Sequence, residues 1–204
     1  NAGKSTVMKQ MVQKYIGNEE KKVLEKDMLF ATLETSVRNI ETGDNKPFYL
    51  VDTVGFIHKL PHGLVKAFHS TLEEVKYADL LVQVVDFSDP QYRLQMEVTA
   101  ETLKELGAGE IPMLVVYNKA ENKIEDLPRI RDNHIYMSAV NDVGISELAE
   151  LIKGQVYSTY QDAEFLIPYD KGGVVSYFME NSTVREQEYL ENGVRLVVNC
   201  HKGD

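Results

Sequence analysis

The sequence predicts an α/β fold with a doubly wound, mostly parallel sheet, followed by a small α+β domain. Strand-like apolar runs alternate with amphipathic helical segments as far as about residue 157. Two of these runs, 79–87 and 111–117, are continuously apolar, as strands buried on both faces are. The alternation stops after residue 158. We therefore expect two domains, 1–157 and 160–204.

The first predicted elements are a helix and a pair of strands. Residues 5–16 place apolar side chains at helical spacing. Residues 36–41 and 47–52 are predicted strands, and the polar turn TGDN between them indicates an antiparallel hairpin. Residues 61–77 follow as an amphipathic helix, with Pro61 suited to its first turn.

The rest of the first domain repeats strand and helix. The predicted elements are a strand at 79–87, a helix at 90–106, a strand at 111–117, a short strand at 135–138 and a helix at 145–157. The C-terminal segments EFLIP, KGGVVSYFMENS, REQEYLENG and VRLVVNC predict strand, helix, strand, turn and strand. An extension packed on the first sheet is the alternative to a separate C-terminal domain.

Composition limits the function classes. The chain has 204 residues, 43 % of them hydrophobic, and a formal net charge of -10, which disfavours bulk attraction to nucleic acid or to anionic membranes. Its single cysteine fits a reducing cytosol, and hence a cytoplasmic location. No apolar run approaches the roughly 20 residues that span a bilayer. We expect a monomer.

The first residues, NAGKST, match the end of the phosphate-binding pattern G-x-x-x-x-G-K-[ST]. Gly3 would let the backbone approach a phosphate, Lys4 would neutralise phosphate charge, and the Ser5 hydroxyl would bind Mg²⁺. A glycine-capped helix with polar residues is the structural alternative. Because the pattern begins partway through, we expect its first glycine and the strand before it to lie upstream.

Asp52-Thr53-Val54-Gly55 gives the arrangement D-x-x-G at the end of a predicted strand. The aspartate would hold Mg²⁺ through water, and the Gly55 N–H would sense the γ-phosphate. An ordinary strand-to-turn transition is the alternative, because Asp and Gly are common turn residues.

Asn118-Lys119-Ala120-Glu121 follows an apolar strand and resembles N-K-x-D, the guanine-reading motif. Asn118 would tie the base-binding loops together, the Lys119 stem would stack on the base, and the acid would accept hydrogen bonds from guanine. Glu121 replaces the usual Asp, so an extra methylene must be accommodated. ATP use is therefore an alternative.

Ser138-Ala139 follows the short strand at 135–138 and resembles a loop whose backbone contacts guanine. The dipeptide means little alone, but the four motifs come in the order of a GTP-binding domain. The last three follow predicted strands, and ligands of such sheets bind beyond the carboxyl ends of strands. The motifs together predict a P-loop GTPase fold with GTP as substrate and Mg²⁺ as cofactor.

Longer segments resemble the HflX family of bacterial GTPases. They are DMLFATLETSVR, the stretch from LVDTVGFIHKLP to VVDFSDP, and KELGAGEIPMLVVYNKAE. The resemblance covers about residues 1–157, and the tail FLIPYDKGGVVSYFMENSTVREQEYLENG is similar to the family's small C-terminal domain. It implies a ribosome-associated factor that binds the large subunit, splits stalled ribosomes and in some members confers antibiotic resistance. It also implies an N-terminal domain, which this chain does not contain and which we expect upstream.

The resemblance also implies site residues. Thr32 would be the switch threonine on Mg²⁺, with Thr35 as its competitor. Lys4, Thr32 and Gly55 are the candidate catalytic residues, and Ser5, Thr32 and Asp52 the candidate metal ligands. The candidate nucleotide-binding residues are Asn1, Ala2, Gly3, Lys4, Ser5, Thr6, Phe30, Ala31, Thr32, Leu33, Asp52, Thr53, Val54, Gly55, Asn118, Lys119, Glu121, Ser138 and Ala139.

The position after the D-x-x-G glycine predicts slow hydrolysis. A glutamine orients the attacking water there in Ras-like enzymes. Phe56 and Ile57 stand here instead, and neither can orient water. We expect a partner to supply or position the missing group. His58 is the nearest titratable residue and is a candidate for a catalytic role. The alternative is that it lies at the surface or contacts a partner.

Two further groups have competing interpretations. His62, Lys66 and His69 share one helix face, which would be either a ribosome contact or simply solvated. The tyrosines near the domain junction would serve base stacking or, in our preferred interpretation, interdomain packing; they are Tyr157, Tyr160 and Tyr169.

Three alternatives to a ribosome-acting GTPase remain open. The first is a module latched by nucleotide binding without much turnover. The second is another P-loop GTPase, of the tRNA-modification or ferrous-iron-transport type. The third is ATP use.

Overall fold

The computed structural model describes residues 2–15, 36–52 and 74–201. Its helices are α1 (Lys4–Tyr15), α2 (Tyr92–Glu105), α3 (Ile145–Val156) and α4 (Gly172–Asn181). Its strands are β1 (Ser36–Ile40), β2 (Phe48–Asp52), β3 (Leu81–Asp86), β4 (Met113–Asn118), β5 (Arg129–Arg131), β6 (His134–Tyr136), β7 (Tyr160–Ile167), β8 (Thr183–Leu190) and β9 (Gly193–His201). The mixed, mostly parallel α/β arrangement that the alternating pattern predicted is confirmed.

The larger sheet of the first 157 residues has the strand order β3-β4-β6-β5. β3 and β4 pair in parallel, with Asp86 opposite Asn118 at their carboxyl ends. β6 also runs parallel to β4, whereas β5 is an antiparallel edge strand. β5 was missed in the sequence because its three residues, all exposed, give no apolar alternation.

The predicted hairpin is confirmed by β1 and β2, which pair antiparallel from Ser36 opposite Asp52 to Ile40 opposite Phe48. Within the described residues these two strands form a sheet of their own. Ile40 and Phe48 are nevertheless buried in the same core as β4 and α1. The hairpin is therefore held by packing against the larger sheet.

Helices lie on both faces of the larger sheet. α1 and α3 pack on one face, in a core whose fully buried members include Met11, Leu114, Val116, Ile135, Met137 and Leu148. On the other face, Leu103 of α2 packs with Leu81 and Met113. α2 ends in a Schellman motif, in which the Ala108 N–H donates to the Leu103 carbonyl and Gly107 adopts φ +74°.

The C-terminal residues form the predicted strand, helix, strand and strand. β7, β9 and β8 make an antiparallel sheet in that order, and α4 packs on one of its faces. The core of this unit contains Phe165, Ile167, Val175, Phe178, Val184, Val194, Leu196 and Val198. None of these belongs to the core beneath the larger sheet.

The turn between β1 and β2 contacts both α3 and the C-terminal unit. The Asp44 carboxylate lies 2.8 Å from the Lys153 ammonium, and the Thr183 hydroxyl donates to the Asp44 carbonyl at 2.7 Å. The Asn45 amide donates to the Ser182 carbonyl at 3.0 Å, and the Tyr157 hydroxyl donates to a carbonyl of the same turn. That tyrosine contact lies within the predicted first domain, so the interdomain packing that we prefer for Tyr157 stays a prediction.

Most of the helix predicted at 61–77 lies outside the described residues. Its described end, Glu74–Tyr77, is a 3₁₀ turn, and the expectation of α-helix through residue 77 is wrong there. Short 3₁₀ turns are common at helix ends and in connectors.

Candidate functional site

Three of the four motifs meet at the carboxyl ends of strands. Asp52 is the last residue of β2, and Asn118 is the last residue of β4. Ser138 follows β6 by two residues. Since β4 and β6 are parallel neighbours, their ends lie on the same edge of the sheet, where ligands of open α/β sheets bind.

Gly3 forms the entrance to α1. Its φ of +87° lies in the left-handed region that favours glycine. A Cβ at this position would clash with the side-chain amide of Asn118. The Val7 N–H donates to the Gly3 carbonyl at 3.0 Å, so the helix begins immediately after the glycine. Its free N–H groups and positive dipole end suit an anion.

Lys4 and Asp52 form an ion pair, with 2.5 Å between the ammonium and the carboxylate. This pair joins the first motif to the second. Both side chains remain partly exposed, and Ser5, beside Lys4, is exposed. Asp52, a member of this pair, and Ser5, the residue after Lys4, are thus two candidate metal ligands at the same place.

Asn118 connects the first motif to the fourth. Its amide donates to the Ala2 carbonyl at 3.0 Å, and its amide oxygen accepts from the Ala139 N–H at 2.9 Å. The side chain is 3 % exposed, so both bonds lie in a shielded environment. The predicted tie between the loops is present in the structure.

The turn after Asn118 places Lys119 and Glu121. Lys119 has a left-handed backbone, with φ 59° and ψ 37°. The Ala120 N–H donates to the Met137 carbonyl at 3.1 Å, which fixes this turn against the segment after β6. One carboxylate oxygen of Glu121, Oε2, is buried and has no hydrogen-bond partner among the described residues.

Ser138 and Ala139, which are both buried, begin a tight loop. Ser138 and Val143 exchange backbone hydrogen bonds at 3.1 and 3.0 Å. The Asn141 amide donates to the Ser138 hydroxyl, and the Gln10 amide donates to the Ala139 carbonyl at 3.2 Å. The loop is therefore attached to α1 as well as to β4.

Asp86, the last residue of β3, belongs to this site but was missed in the sequence. Its carboxylate lies 2.6 Å from the Lys119 ammonium. Its position at the carboxyl end of an apolar strand, like those of Asp52 and Asn118, could have identified it.

Several candidates lie outside the described residues. Asn1, Phe30, Ala31, Thr32, Leu33, Thr53, Val54 and Gly55 among the nucleotide-binding candidates do so, as do Thr35, Phe56, Ile57, His58, His62, Lys66 and His69. Among the candidates that it does describe, the structure brings together Ala2, Gly3, Lys4, Asp52, Asn118, Lys119, Ser138 and Ala139. The other three described candidates, Ser5, Thr6 and Glu121, stand close to these in the chain. That they bind nucleotide stays a prediction.

Comparison with known proteins gives a family for this arrangement. A family model described as 50S ribosome-binding GTPase matches residues 1–119. The chain belongs to this family of GTPases. The match includes the segments that carry Gly3, Asp52 and Asn118, so the family and the geometry rest on the same motifs.

Relatives within this GTPase family confirm the resemblance to HflX. The chain is 39 % identical over 198 residues to the GTPase HflX of Caldanaerobacter subterraneus subsp. tengcongensis, covering 96 % of this chain and 44 % of that protein. It is 42 % identical over 205 residues to that of Akkermansia muciniphila, covering 96 % and 45 %. With the Escherichia coli protein the identity is 34 % over 197 residues, covering 94 % and 44 %. The chain thus spans less than half the length of these relatives.

Solved structures agree with the family. A GTP-binding protein of the archaeon Sulfolobus solfataricus, crystallised with GDP, matches with a TM-score of 0.57 and 26 % identity, covering 78 % of this chain and 50 % of that one. A further structure, titled as a complex of SsGBP and GDP, gives a TM-score of 0.53 and 27 % identity over 74 % of this chain and 45 % of that one.

No helix in residues 2–15, 36–52 or 74–201 is both long and apolar enough to cross a membrane. Within the same residues, no group of three or more His, Cys, Asp and Glu side chains is placed to hold a metal ion.

Proposed function

We propose that this chain is the GTP-binding part of a ribosome-associated factor, and that it hydrolyses GTP slowly with Mg²⁺ until a partner stimulates it. The observation that carries the proposal is the pair of hydrogen bonds made by Asn118. They join the phosphate-loop motif at Ala2 to the guanine-loop motif at Ala139. A nucleotide bound at both loops would have its phosphates at the first and its base at the second.

The part of the site around Glu121, where the base would lie, supports binding of guanine. Glu121 Oε2 is a buried acceptor without a partner among the described residues, and an unpaired buried acceptor is costly. The guanine edge offers two N–H donors to a carboxylate, whereas adenine does not. Binding guanine would satisfy Glu121, which favours GTP over ATP despite the longer side chain.

The part of the site around Lys4, Ser5 and Asp52, where the phosphates would lie, supports binding of Mg²⁺ together with a triphosphate. The Ser5 hydroxyl and the Asp52 carboxylate are hard oxygen donors, and Mg²⁺ is commonly held by few protein ligands together with phosphate oxygens. Mg²⁺, when bound, neutralises charge on those oxygens. Lys4 would then exchange its pairing with Asp52 for the phosphates, while the start of α1 offers its N–H groups.

Thr32 and Gly55 complete the proposed machinery as the switch threonine and the γ-phosphate sensor. Phe56 follows that glycine and cannot orient water. The proposed partner is the large ribosomal subunit, supported by the family description and the HflX relatives. Ribosome splitting and antibiotic resistance are further proposals for the whole protein, and so is a cytoplasmic location.

Competition binding tests nucleotide identity. A fluorescent GDP bound to the full-length protein is displaced with GTP, GDP or ATP. We expect GTP and GDP to displace it at least about 100-fold better than ATP, because a carboxylate that pairs with guanine is left unpaired by adenine. Equal displacement by ATP would contradict guanine selection.

Single-turnover hydrolysis tests partner control. The rate is measured with the full-length protein alone, with 50S subunits and with 70S ribosomes. We expect a slow rate alone and a rise of at least about tenfold with ribosomes. Fast hydrolysis by the protein alone would refute the proposal.

A non-hydrolysable GTP analogue separates the enzyme from a nucleotide-latched binding module. If ribosome splitting, followed by light scattering, proceeds fully and repeatedly with the analogue, then hydrolysis is not needed for the action. We expect one round of splitting with the analogue and repeated rounds only with GTP.

A further inference from the structure

Asp86 is the residue of the site that no motif contains. It ends β3, lies opposite Asn118 in the strand register, and its side chain is 17 % exposed. It faces the segment that would hold the base. A carboxylate in this position needs a structural or a functional explanation, because burying a charge is costly unless the charge is paired.

The two oxygens of Asp86 have different partners. Oδ1 accepts from the Ser88 N–H at 3.0 Å and from the Ser88 hydroxyl at 2.5 Å. Oδ2 accepts from the Lys119 ammonium at 2.6 Å. The Ser88 bonds fix the carboxylate on its own loop, so Asp86 acts as a fixed anchor and Lys119 is the side chain that it restrains.

The backbone behind Asp86 is also held firmly. The Phe87 N–H donates to the Asn118 carbonyl at 2.9 Å. The Lys123 ammonium donates to the Phe87 carbonyl at 2.5 Å and lies 4.9 Å from the centre of the Phe87 ring. These contacts attach the loop after β3 to the turn after β4. The separation between Asp86 and Lys119 is therefore fixed by the backbone as well.

Lys119 gains from such an anchor. It has a left-handed backbone, which is unfavourable for a residue other than glycine, and a long side chain with many rotamers. Ordering a free lysine side chain costs conformational entropy. Because the ion pair with Asp86 already orders the Lys119 side chain, this entropy is lost on folding and not when the nucleotide binds.

We infer that Asp86 is a positioning residue for nucleotide binding: it holds the Lys119 ammonium so that the methylene stem is preorganised to cover the purine base. This inference deepens the proposed function and rests on it. Asp86 need not touch the nucleotide itself. It acts on the part of the site that would hold the base, which GTP and GDP share. Losing Asp86 should therefore weaken the binding of both nucleotides.

The ionisation of Asp86 agrees with this role. Burial acts to raise its pKa, but hydrogen bonds from Lys119 and Ser88 outweigh burial, and the pKa is held below its ordinary value. The carboxylate therefore stays charged throughout the neutral range, and the anchor does not depend on pH there.

A double-mutant cycle tests the inference in the full-length protein. GDP affinity is measured for the wild type, Asp86→Asn, Lys119→Met and the double variant. We expect Asp86→Asn to weaken GDP binding about tenfold alone and less than twofold in the Lys119→Met background. The matched control is Asp126→Asn, which makes the same charge change at an exposed residue after the same turn and should leave affinity unchanged.

A second variant and a second readout keep the test independent of folding. Ser88→Ala keeps the charge but removes one bond to the carboxylate, and it should weaken GDP binding by a smaller factor, again only when Lys119 is present. In steady-state hydrolysis, KM for GTP should rise with Asp86→Asn while kcat changes less than twofold. A merely structural role would instead lower the apparent kcat, because less of the protein is folded, and would leave KM unchanged.

The outcomes are distinguishable. If the wild type binds no guanine nucleotide, the proposed function and this inference both fall. If the wild type binds GDP and Asp86→Asn binds it equally well, only the inference falls. It also falls if Asp86→Asn has its full effect in the Lys119→Met background, because Asp86 then acts by another route.

Discussion

At the scale of single residues, Asn118 holds the site together. It is a short, nearly fully buried side chain that uses both its donor and its acceptor on backbone groups of two other loops. No other residue type of similar size offers both functions in this geometry. The site therefore depends on Asn118 even before any ligand binds.

Asn118→Ala should destabilise the protein by about 2–3 kcal/mol without nucleotide, because two hydrogen bonds are lost and two backbone groups lose their partners. Urea unfolding measures the change. Asn122→Ala, at an exposed position in the turn that follows Asn118, serves as the control and should cost less than about 0.5 kcal/mol. If Asn118→Ala were as stable as the wild type, contacts other than those of Asn118 would hold the loops together.

Substitution by alanine should lower the stability of the protein at Gly3 and raise it at Gly154. Gly3→Ala introduces a clash with Asn118 at a left-handed φ, and we expect a loss of about 1–3 kcal/mol. Gly154 lies within α3 with nothing near its added Cβ, so Gly154→Ala should stabilise by about 0.5–1 kcal/mol. Thermal unfolding of both variants checks the pair. A stabilised Gly3→Ala would contradict the described loop.

At the scale of elements, the turn between β1 and β2 is joined to α3 by an ion pair. The Lys153 side chain is 8 % exposed and pairs with Asp44 at 2.8 Å and with Glu150 at 2.7 Å. Glu150 lies on the same helix, whereas Asp44 comes from the hairpin. Only the Asp44 contact therefore contributes to holding two elements together.

Asp44→Asn should cost about 0.5–1 kcal/mol, the range for a water-screened ion pair, because the Asp44 side chain is 40 % exposed. Glu150→Gln removes the other carboxylate from the same ammonium and should cost less. Urea unfolding at pH 7 compares the two variants. A larger loss with Glu150→Gln would show that the hairpin contact does not stabilise the fold.

The Asp44 contribution should depend on pH in a defined direction. Burial acts to raise the pKa of Asp44, but hydrogen bonds from Lys153 and Thr42 hold it below its ordinary value of 3.8. Folding therefore favours the ionised form, and this stabilisation is present above pH 3.8 and fades as the pH falls through the lowered folded value. The difference in stability between wild type and Asp44→Asn should shrink below that pH. A constant difference down to the most acid pH at which the protein folds would contradict this.

The elements also show where sequence patterns are informative. Long apolar runs such as β3 and β4 were predicted to within about two residues, because burial on both faces leaves an unbroken pattern. β5 was missed since three exposed residues pair only because β6 lies beside them. Pairing of that kind is a tertiary effect, which no local pattern records.

At the scale of the whole molecule, two separate cores support the proposal of two domains with a boundary near 157–160. The first lies beneath the larger sheet and the hairpin, and the second lies between α4 and the sheet of β7, β9 and β8. The contacts between them that involve the hairpin turn are polar, at Asn45 and Thr183.

Removing residues 159–204 from the full-length protein should therefore leave the first core folded, because that core contains none of the removed residues. We expect GDP binding to persist within about threefold and the turn between β1 and β2 to exchange its amide hydrogens faster. Hydrogen exchange and GDP titration measure the two effects. Loss of cooperative unfolding in the shortened protein would show that the C-terminal unit is part of one domain.

The sequence by itself determined the fold class, the order of the described helices and strands other than β5, and the positions of the phosphate and guanine motifs, because periodicity and short motifs are local properties of the chain. It also showed Phe56 where a water-orienting glutamine would stand. Only the tertiary structure decided that Lys4 meets Asp52, that Asn118 joins Ala2 to Ala139, and that Asp86 restrains Lys119. Asp86 meets Lys119 because the parallel strands β3 and β4 bring their carboxyl ends to one edge of the sheet, whereas Lys4 meets Asp52 because α1 and the hairpin pack in one core.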